Sequence, residues 1–567
     1  MTNTFERRYK NGIDPTRGGY PGFKYTRTIA DGLVIERDVA VPMRDGVNIY
    51  VDIFRPADNP DADLPVLVAW SSYGKHSPQK LADFPADTGV PEGALSKYVA
   101  FESPDPMYWC RAGYAVIFVD PRGTWGSEGV AEAFWGEGEG QDYHDLIEWA
   151  GTQPWSNGKV GMAGVSYLAI IQWLTAATQP PHLAAMNPWE GVSDLYRDFA
   201  FHGGMPETQF HPWWHEGVLF SRSKVEDTVA MRDEHPFDDD YWATKRADLS
   251  KVTVPAYVVA SWSDHGLHTR GTLEAYKGLG SSRKWLEIHG RKKWGYYYDE
   301  QSIARQRAFF DHFLKGEDTE VDQWPAVRLE VRDRYYEGQV RNVESWPVIE
   351  TDYRALHLDA ATMTLGAHAP RDEASAEYSA TDEQDHVVFD YRFDTETELV
   401  GNSKLRLWVE AEGADDMDLY VALQKIDADG EPVNFPFFSI WENGNVALGW
   451  LRVSHRELDK ERSTPQQPWL SHRREQKLAP GEQVPVEIEV LPSGTVFHEG
   501  ETLRLLIQGS DVNKYPAGTP TQRHHSAVNQ GRHIIHTGGQ YDAHLLVPVT
   551  REVTGASGAT TNTQSTQ

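Results

Sequence analysis

The sequence has a single cysteine, Cys110, so no intrachain disulfide can form, and nothing in the chain argues for an oxidising compartment. Long apolar runs are also missing, because no uninterrupted stretch approaches the roughly 20 residues that a transmembrane helix needs. The first residues lack the apolar centre and the small-residue cleavage site of a signal peptide. From these absences we expect a cytoplasmic protein that does not cross a membrane.

The chain also has fewer positively charged than negatively charged residues. Lys and Arg number 54 against 84 Asp and Glu, which gives a formal net charge of −30 at pH 7. Such a surface repels nucleic acid and anionic membranes, and basic and aromatic residues are not clustered as nucleic-acid binding requires. We therefore expect neither a nucleic-acid nor a membrane partner. Homo-oligomerisation is left open.

Short apolar runs alternate with helical patterns in the first part of the chain. Residues 32–56 read as a β-hairpin that turns at Asp45 and Gly46, and residues 302–316 read as an amphipathic helix that ends at Gly316. Buried strands that alternate with helices predict an α/β domain with a mostly parallel sheet. The apolar runs are LPVLVAW, YAVIFVD, KVGMAGV, AYVVAS and KWLEIH.

The alternation breaks twice along the chain. Residues 178–252 are rich in aromatic side chains and predict a helical cap over the sheet, which divides the α/β core into residues 32–177 and 253–344. Residues 345–553 carry short alternating segments between turn residues and predict an all-β sandwich with a jelly-roll-like arrangement. We assign residues 1–31 to an N-terminal extension and residues 554–567 to a disordered tail.

The stretch GMAGVSYLA combines a short strand, a glycine at position 164 and a serine at position 166 just before a helical pattern. An α/β-hydrolase fold holds its nucleophile on such a strand-to-helix turn, and its acid and then its histidine follow along the chain. Asp264 and His289 each follow an apolar strand, at the sheet edge where catalytic loops lie. Ser166, Asp264 and His289 are therefore the candidate catalytic residues.

Several stretches follow one another along the chain in a recognisable order. They are MRDGVNIYVDIFRP, SSYGK, DPRGTWGSEG, GMAGVSYLA, SWSDHG, RQRAFFDHFLKG and, in the β region, DDMDLYVALQKIDADG. In these stretches and their order the chain resembles the family of cocaine esterase and X-prolyl dipeptidyl peptidases, the S15-type α/β-hydrolases, from about Gly32 to Val549.

The resemblance implies a role for each candidate. Ser166 would be the nucleophile, His289 the general base and then the general acid, and Asp264 the carboxylate that orients the histidine. The Tyr73 hydroxyl and the backbone N–H of Tyr167 would form the oxyanion hole. Neither a cofactor nor a catalytic metal is implied.

The chain departs from the family pattern at two points. Ala169 stands where the family has a second glycine, and the stretch IHGRKKWGYYY stands where the family has Gly-Pro-Trp-x-His. His289 is chosen because it is the histidine at the end of that strand. His265 and His268 are the rivals, disfavoured because they follow Asp264 too closely to lie on a separate strand.

Each of these side chains also has a purely structural interpretation. Ser166 could be a turn residue, Asp264 a helix N-cap, His289 a hydrogen-bonded core histidine and Tyr73 a core aromatic residue. His211, His215 and Glu216, or His265 with His268, do not match a known zinc motif, so we expect no metal.

The residues near the candidate catalytic residues indicate the class of substrate. Gly266 and Leu267 stand where the α-amino ester branch of the family places carboxylates for an ammonium group, which argues against a charged α-amine. Asp194 and Asp198 could supply charge, but they could equally pair with Arg197 or cap a helix. Five aromatic residues are candidates for an apolar pocket: Trp189, Phe201, Phe210, Trp213 and Trp214.

These features predict a serine carboxylic ester hydrolase with a hydrophobic acyl or alcohol group and an acyl-enzyme intermediate. Three alternatives stay open. The first is an amidase or acylase that acts on small amides or β-lactam side chains, and the second is an X-Pro or α-amino acyl hydrolase. The third is an inactive binding protein that uses the β-sandwich.

Overall fold

The computed structural model describes residues 5–22, 24–76 and 80–553, so the predicted tail at 554–567 lies outside the described residues. The apolar runs form the centre of a large mixed sheet, in which the strands from 64 to 334 pair in parallel. In spatial order the strands are Thr26–Ala30, Leu33–Pro42, Asn48–Pro56, Ala115–Asp120, Leu64–Trp70, Ser156–Val165, Leu183–Trp189, Ala256–Ser261, Lys284–His289, Val327–Arg334 and Glu337–Val343.

Helices cover this sheet because each buries an apolar face against it. The predicted amphipathic helix is present at Glu300–Phe310 and continues as a π-helical turn that ends at Gly316, whose φ is +75°. The other helices of the first domain are Pro106–Arg111, Glu137–Gly151, Tyr167–Ala176, Thr269–Gly278 and Lys293–Tyr297. No helix among the described residues has the length and apolarity to cross a membrane.

The cap differs from its prediction in extent and content. Residues 178–252 include the strand Leu183–Trp189, which lies in the middle of the main sheet, so the inserted segment begins only after it. The sequence does not reveal this strand, because its short run, buried from Ala185 to Trp189, is followed at once by the aromatic cap sequence. Short strands accompany the helices Phe210–Gly217, Thr228–Glu234 and Asp240–Ala243, and one of them pairs with Tyr9–Asn11 of the N-terminal extension.

The C-terminal region is all-β, as predicted. Two groups of antiparallel strands contribute to one apolar core, with Leu405 and Ile488 from one group and Phe389 and Leu505 from the other. Its longer strands are Asp352–Asp359, Ala374–Ser379, His386–Arg392, Thr397–Glu412, Asp418–Ile426, Ala447–Arg452, Val484–Phe497, Thr502–Gln508, Arg532–Thr537 and His544–Glu552. Shorter strands are Thr364–Gly366, Pro432–Val433, Phe435–Phe437 and Trp441–Gly444.

The β domain contacts the loop that follows strand Ala256–Ser261. The N–H of Phe438 donates to the carbonyl of Ser263 at 2.7 Å, and His265 Nε2 contacts the carbonyl of Pro492 at 3.0 Å. Loops at the carboxyl ends of parallel strands carry functional groups in open α/β sheets. The second domain therefore helps to position this edge of the first.

Candidate active site

Ser166 lies on a tight turn between strand Ser156–Val165 and helix Tyr167–Ala176. Its φ is +58°, a strained conformation for a residue with a side chain. Gly164 precedes it with φ +134°, and a Cβ at that position would lie 2.6 Å from the Cβ of Leu168. The turn thus needs glycine at 164 and lifts the Ser166 hydroxyl to the carboxyl edge of the sheet, as the sequence predicted.

The imidazole in contact with Ser166 is that of His268. Its Nε2 lies 3.0 Å from Ser166 Oγ, and its Nδ1 lies 2.5 Å from Oδ2 of Asp264. The His268 side chain is 1% exposed and that of Asp264 is 2% exposed. This chain of hydrogen bonds has the serine, imidazole and carboxylate order that activates a hydroxyl for nucleophilic attack.

One tight turn, in which Gly266 has a φ of +83°, brings the acid and the base together. The carbonyl of Asp264 accepts hydrogen bonds from the N–H groups of Leu267, His268 and Thr269, immediately before helix Thr269–Gly278. The turn places the two side chains on the same side, where Nδ1 of His268 meets Oδ2 of Asp264. Asp264 and His268 therefore meet without a second strand.

The prediction that His289 pairs with Ser166 and Asp264 is wrong. His289 ends its strand as predicted, but its Nε2 lies 3.1 Å from Glu190 Oε1 and its Nδ1 accepts from the N–H of Arg291 at 3.2 Å. Its ring packs on Tyr296 with the centroids 4.1 Å apart. Burial lowers the pKa of His289 to about 3. It is a neutral core histidine, the structural alternative that the sequence left open.

A sequence signal for His268 existed in the spacing of Asp264 and His268. An acid and a histidine at i and i+4, just before a helical pattern, can share one face of a turn. The expectation that acid and base lie on separate strands disfavours His268, and that expectation does not hold here. The other rival, His265, points to the β domain and contacts Pro492.

Tyr73 lies on the other side of Ser166. Its buried hydroxyl is in hydrogen-bonding contact with the side chains of Ser166 and Trp214, and burial raises its pKa well above the usual range. The phenol therefore stays protonated and can donate to a negative oxygen. Tyr167 begins the helix after Ser166, and the first N–H groups of a helix have no partner within it. The two predicted oxyanion donors thus flank the serine.

The electrostatics of the site favour a charged acid beside a neutral base. Burial by itself would raise the pKa of Asp264, but Lys293 and then His268 outweigh it and hold that pKa well below the usual range. Burial and the ammonium of Lys293 lower the pKa of His268 to about 4 against the opposing pull of Asp264. A neutral imidazole can accept the proton of Ser166, so His268 is in the form that a general base needs.

The five predicted pocket residues divide into three groups. Trp189 and Phe201 are core residues, since Trp189 packs on Tyr297 and Phe201 stacks on Tyr196. Trp214 lies beside Tyr73. Phe210 and Trp213 are half-buried members of a row of aromatic rings that starts at Tyr73 and ends at Phe438, next to the loop of Asp264. The row runs Tyr73, Phe101, Phe84, Trp213, Phe210 and Phe438, with neighbouring centroids 5.1 to 6.4 Å apart.

One cluster at this site has the residue types of a metal site. Glu190, Asp264 and His268 offer ligand atoms within 4.8 Å of one another. The ammonium of Lys293, however, lies 3.3 Å from Oδ2 of Asp264 and would repel a metal ion. His268 is moreover engaged at both ring nitrogens. These residues fit a proton-transfer site better than a metal site.

Comparison with known proteins agrees with this architecture. The family described as X-Pro dipeptidyl-peptidase (S15 family) matches residues 45–292, and the X-Pro dipeptidyl-peptidase C-terminal non-catalytic domain matches residues 319–546. Cocaine esterase from Rhodococcus sp. (strain MB1 Bresler) is 25% identical, over 91% of this chain and 98% of its own.

Solved structures extend the comparison. The crystal structure of a CocE/NonD family hydrolase from Staphylococcus aureus is 42% identical with a TM-score of 0.88, and the match covers 94% of this chain and 97% of that chain. An α-amino acid ester hydrolase, 17% identical with a TM-score of 0.69, covers 92% and 98% and shares the fold.

Proposed function

The chain belongs to the family of cocaine esterase and X-prolyl dipeptidyl peptidases and is a hydrolase, and we propose that it cleaves carboxylic esters with a hydrophobic acyl or alcohol group. The observation that carries this proposal is the hydrogen-bonded chain from Ser166 through His268 to Asp264 beside the phenol of Tyr73. These groups supply a nucleophile, a base, an orienting carboxylate and an oxyanion donor.

Each step of the reaction has a residue to perform it. His268 Nε2 takes the proton from Ser166 as Oγ attacks the ester carbonyl carbon, and the imidazolium is stabilised by Asp264. Tyr73 and the N–H of Tyr167 donate to the developing oxyanion, a contribution of about 3 kcal/mol for each donor. His268 then protonates the leaving alcohol, and a water molecule activated by the same imidazole releases the acid.

The aromatic row supports an apolar substrate. Its rings lead from the phenol beside Ser166 to Phe438, and Phe84, Phe210 and Trp213 remain partly exposed along it. Aromatic side chains offer large apolar contact areas with little rotamer entropy to lose. A hydrophobic acyl or alcohol group placed along this row is desolvated, whereas an anionic group there finds no counter-charge among these rings.

Substrates with a free α-amine are disfavoured by the charges nearby. Asp194 is paired with Arg197 and Arg246, and Asp198 is paired with Arg270, so both carboxylates are already neutralised. Gly266 at the predicted ammonium position is neutral. An X-prolyl dipeptide or an α-amino ester would therefore bring an unpaired ammonium to the site, which costs binding energy.

Two measurements test the proposal. A fluorophosphonate probe should label Ser166, as read by peptide mass spectrometry, and should leave the Ser166→Ala variant unlabelled. An inactive binding protein would show no labelling. The para-nitrophenyl ester of an aromatic acid should turn over much faster than the matching anilide, and equal rates would favour the amidase alternative. Preferential cleavage of a glycyl-prolyl anilide would favour the peptidase alternative.

A further inference from the structure

A lysine lies in the stretch where the family resemblance leads one to expect the catalytic histidine. Lys293 belongs to the RKKW stretch after strand Lys284–His289 and begins the short helix Lys293–Tyr297. Its Nζ donates to Oδ2 of Asp264 at 3.3 Å and lies 3.4 Å from Nδ1 of His268. The same carboxylate oxygen thus contacts both the imidazole and the ammonium.

Three carboxyl groups converge on this ammonium. Glu102, Glu190 and Asp264 are all buried, and each interacts electrostatically with Lys293. Glu102 accepts a hydrogen bond from Trp294 Nε1 at 2.9 Å. The other titratable groups that face the cluster are His268, His289, Tyr73, Tyr297 and Tyr298. Lys293 is thus the cation in contact with Asp264 among the described residues.

Buried like charges do not all ionise together. Burial raises the pKa of Glu102 to about 7 and that of Glu190 well above its usual range, while the pKa of Asp264 is held low. The geometry explains the difference, because Asp264 is the carboxylate that touches the ammonium. The negative charge in this cluster of carboxyl groups needs one cation beside it. Lys293 is that cation, so the imidazole of His268 does not have to be protonated.

We propose that Lys293 is a positioning residue of the catalytic triad, whose ammonium keeps the negative charge on Asp264 and leaves the His268 imidazole neutral and directed to Ser166. If the ammonium is removed, His268 is the strongest remaining base among three carboxyl groups and becomes the cation itself. The imidazole would then be protonated at a pH where the wild-type base is free. The kinetic consequences rest on the proposed function, whereas the titration of His268 does not.

The test compares Lys293→Met with Lys293→Arg and with Lys292→Met. Lys292 is a matched control, because it is the adjacent buried lysine but pairs with Asp87 and Glu442 away from the triad. In Lys293→Met we expect the acid limb of the kcat/KM profile to move up by about one to two pH units, while KM changes little. Lys293→Arg and Lys292→Met should keep the wild-type limb.

A second measurement keeps the test decisive if Lys293→Met does not fold. In full-length protein with 15N-labelled histidine, the His268 signals can be assigned by their loss in His268→Gln. Wild-type His268 should stay neutral down to about pH 5. In a folded variant that has an uncharged residue in place of Lys293, the pKa of His268 should rise. Titration of wild-type His268 near 6.5, or an unmoved limb in folded Lys293→Met, overturns the role of Lys293. Failure of Ser166 to react with the fluorophosphonate overturns the proposed function instead.

Discussion

The two buried histidines offer a direct test of the site, because one contacts Ser166 and the other does not. We predict that His268→Gln abolishes hydrolysis and that His289→Gln does not. Glutamine keeps a polar side chain of related length at both positions, so each variant removes the imidazole while losing little volume. The two residues are equally buried, at 1% exposure each, which makes one a matched control for the other.

The magnitude for His268 follows from what its imidazole does. Its Nε2 is the base 3.0 Å from Ser166 Oγ, and its Nδ1 carries the link to Asp264. Removing the histidine of such a triad lowers kcat by about 10⁴- to 10⁶-fold, because only oxyanion stabilisation and binding remain. At 1.36 kcal/mol for each factor of ten, this is about 5 to 8 kcal/mol of transition-state stabilisation.

For the His289 variant, the expected effect is on protein stability and not on catalysis. This side chain contacts Glu190, the N–H of Arg291 and the ring of Tyr296, and it has no role in proton transfer. We expect His289→Gln to lower the free energy of unfolding by about 1 to 3 kcal/mol and to keep kcat/KM within about tenfold of wild type.

The assay measures kcat/KM with a para-nitrophenyl ester, the rate of fluorophosphonate labelling at Ser166, and the thermal unfolding midpoint of each variant. Loss of both turnover and labelling in folded His268→Gln, with both retained in His289→Gln, is the expected pattern. The reasoning fails if a folded His289→Gln variant is as inactive as His268→Gln, or if His268→Gln remains active.

Three further outcomes are expected. Tyr73→Phe should lower kcat by about 10²- to 10³-fold with little change in KM, because one oxyanion donor is lost, and a change in KM alone would contradict this role. Wild-type kcat/KM should stay level on the acid side down to about pH 5 and fall to half near pH 4, because the pKa of His268 is about 4, and steady-state kinetics that find an acid limb near 6.5 would contradict it. Gly164→Ala should lower the free energy of unfolding by about 1 to 3 kcal/mol because its Cβ meets Leu168, whereas Gly217→Ala, with open space at its Cβ, should change it little in chemical denaturation.

Much of the fold and part of the site could be predicted from local patterns. The elbow at Ser166 follows from Gly164, the preceding apolar strand and the following helix, all within residues 156–176. The carboxyl-edge position of Asp264 follows in the same way from strand Ala256–Ser261. Such features are readable because neighbouring residues along the chain determine strand and helix periodicity directly.

The boundary of the cap could not be predicted correctly from the sequence, for a related reason. Strand Leu183–Trp189 is short and fully buried at its end, and periodicity does not separate such a run from a helix or a loop. Its membership of the main sheet is decided by pairing with strands at 156–165 and 256–261, which lie far away in sequence.

Local sequence patterns are enough to predict the strained serine turn, the acid that follows a buried strand and the order of strands and helices typical of a hydrolase fold, since each is encoded by residues close together in the chain. Which imidazole meets the serine depends on the folded structure. His265, His268 and His289 are chemically alike, and what separates them is side-chain direction. The turn from Asp264 to Thr269 directs His268 across 102 positions of sequence to Ser166, while Glu190 and Tyr296 hold His289 in the core.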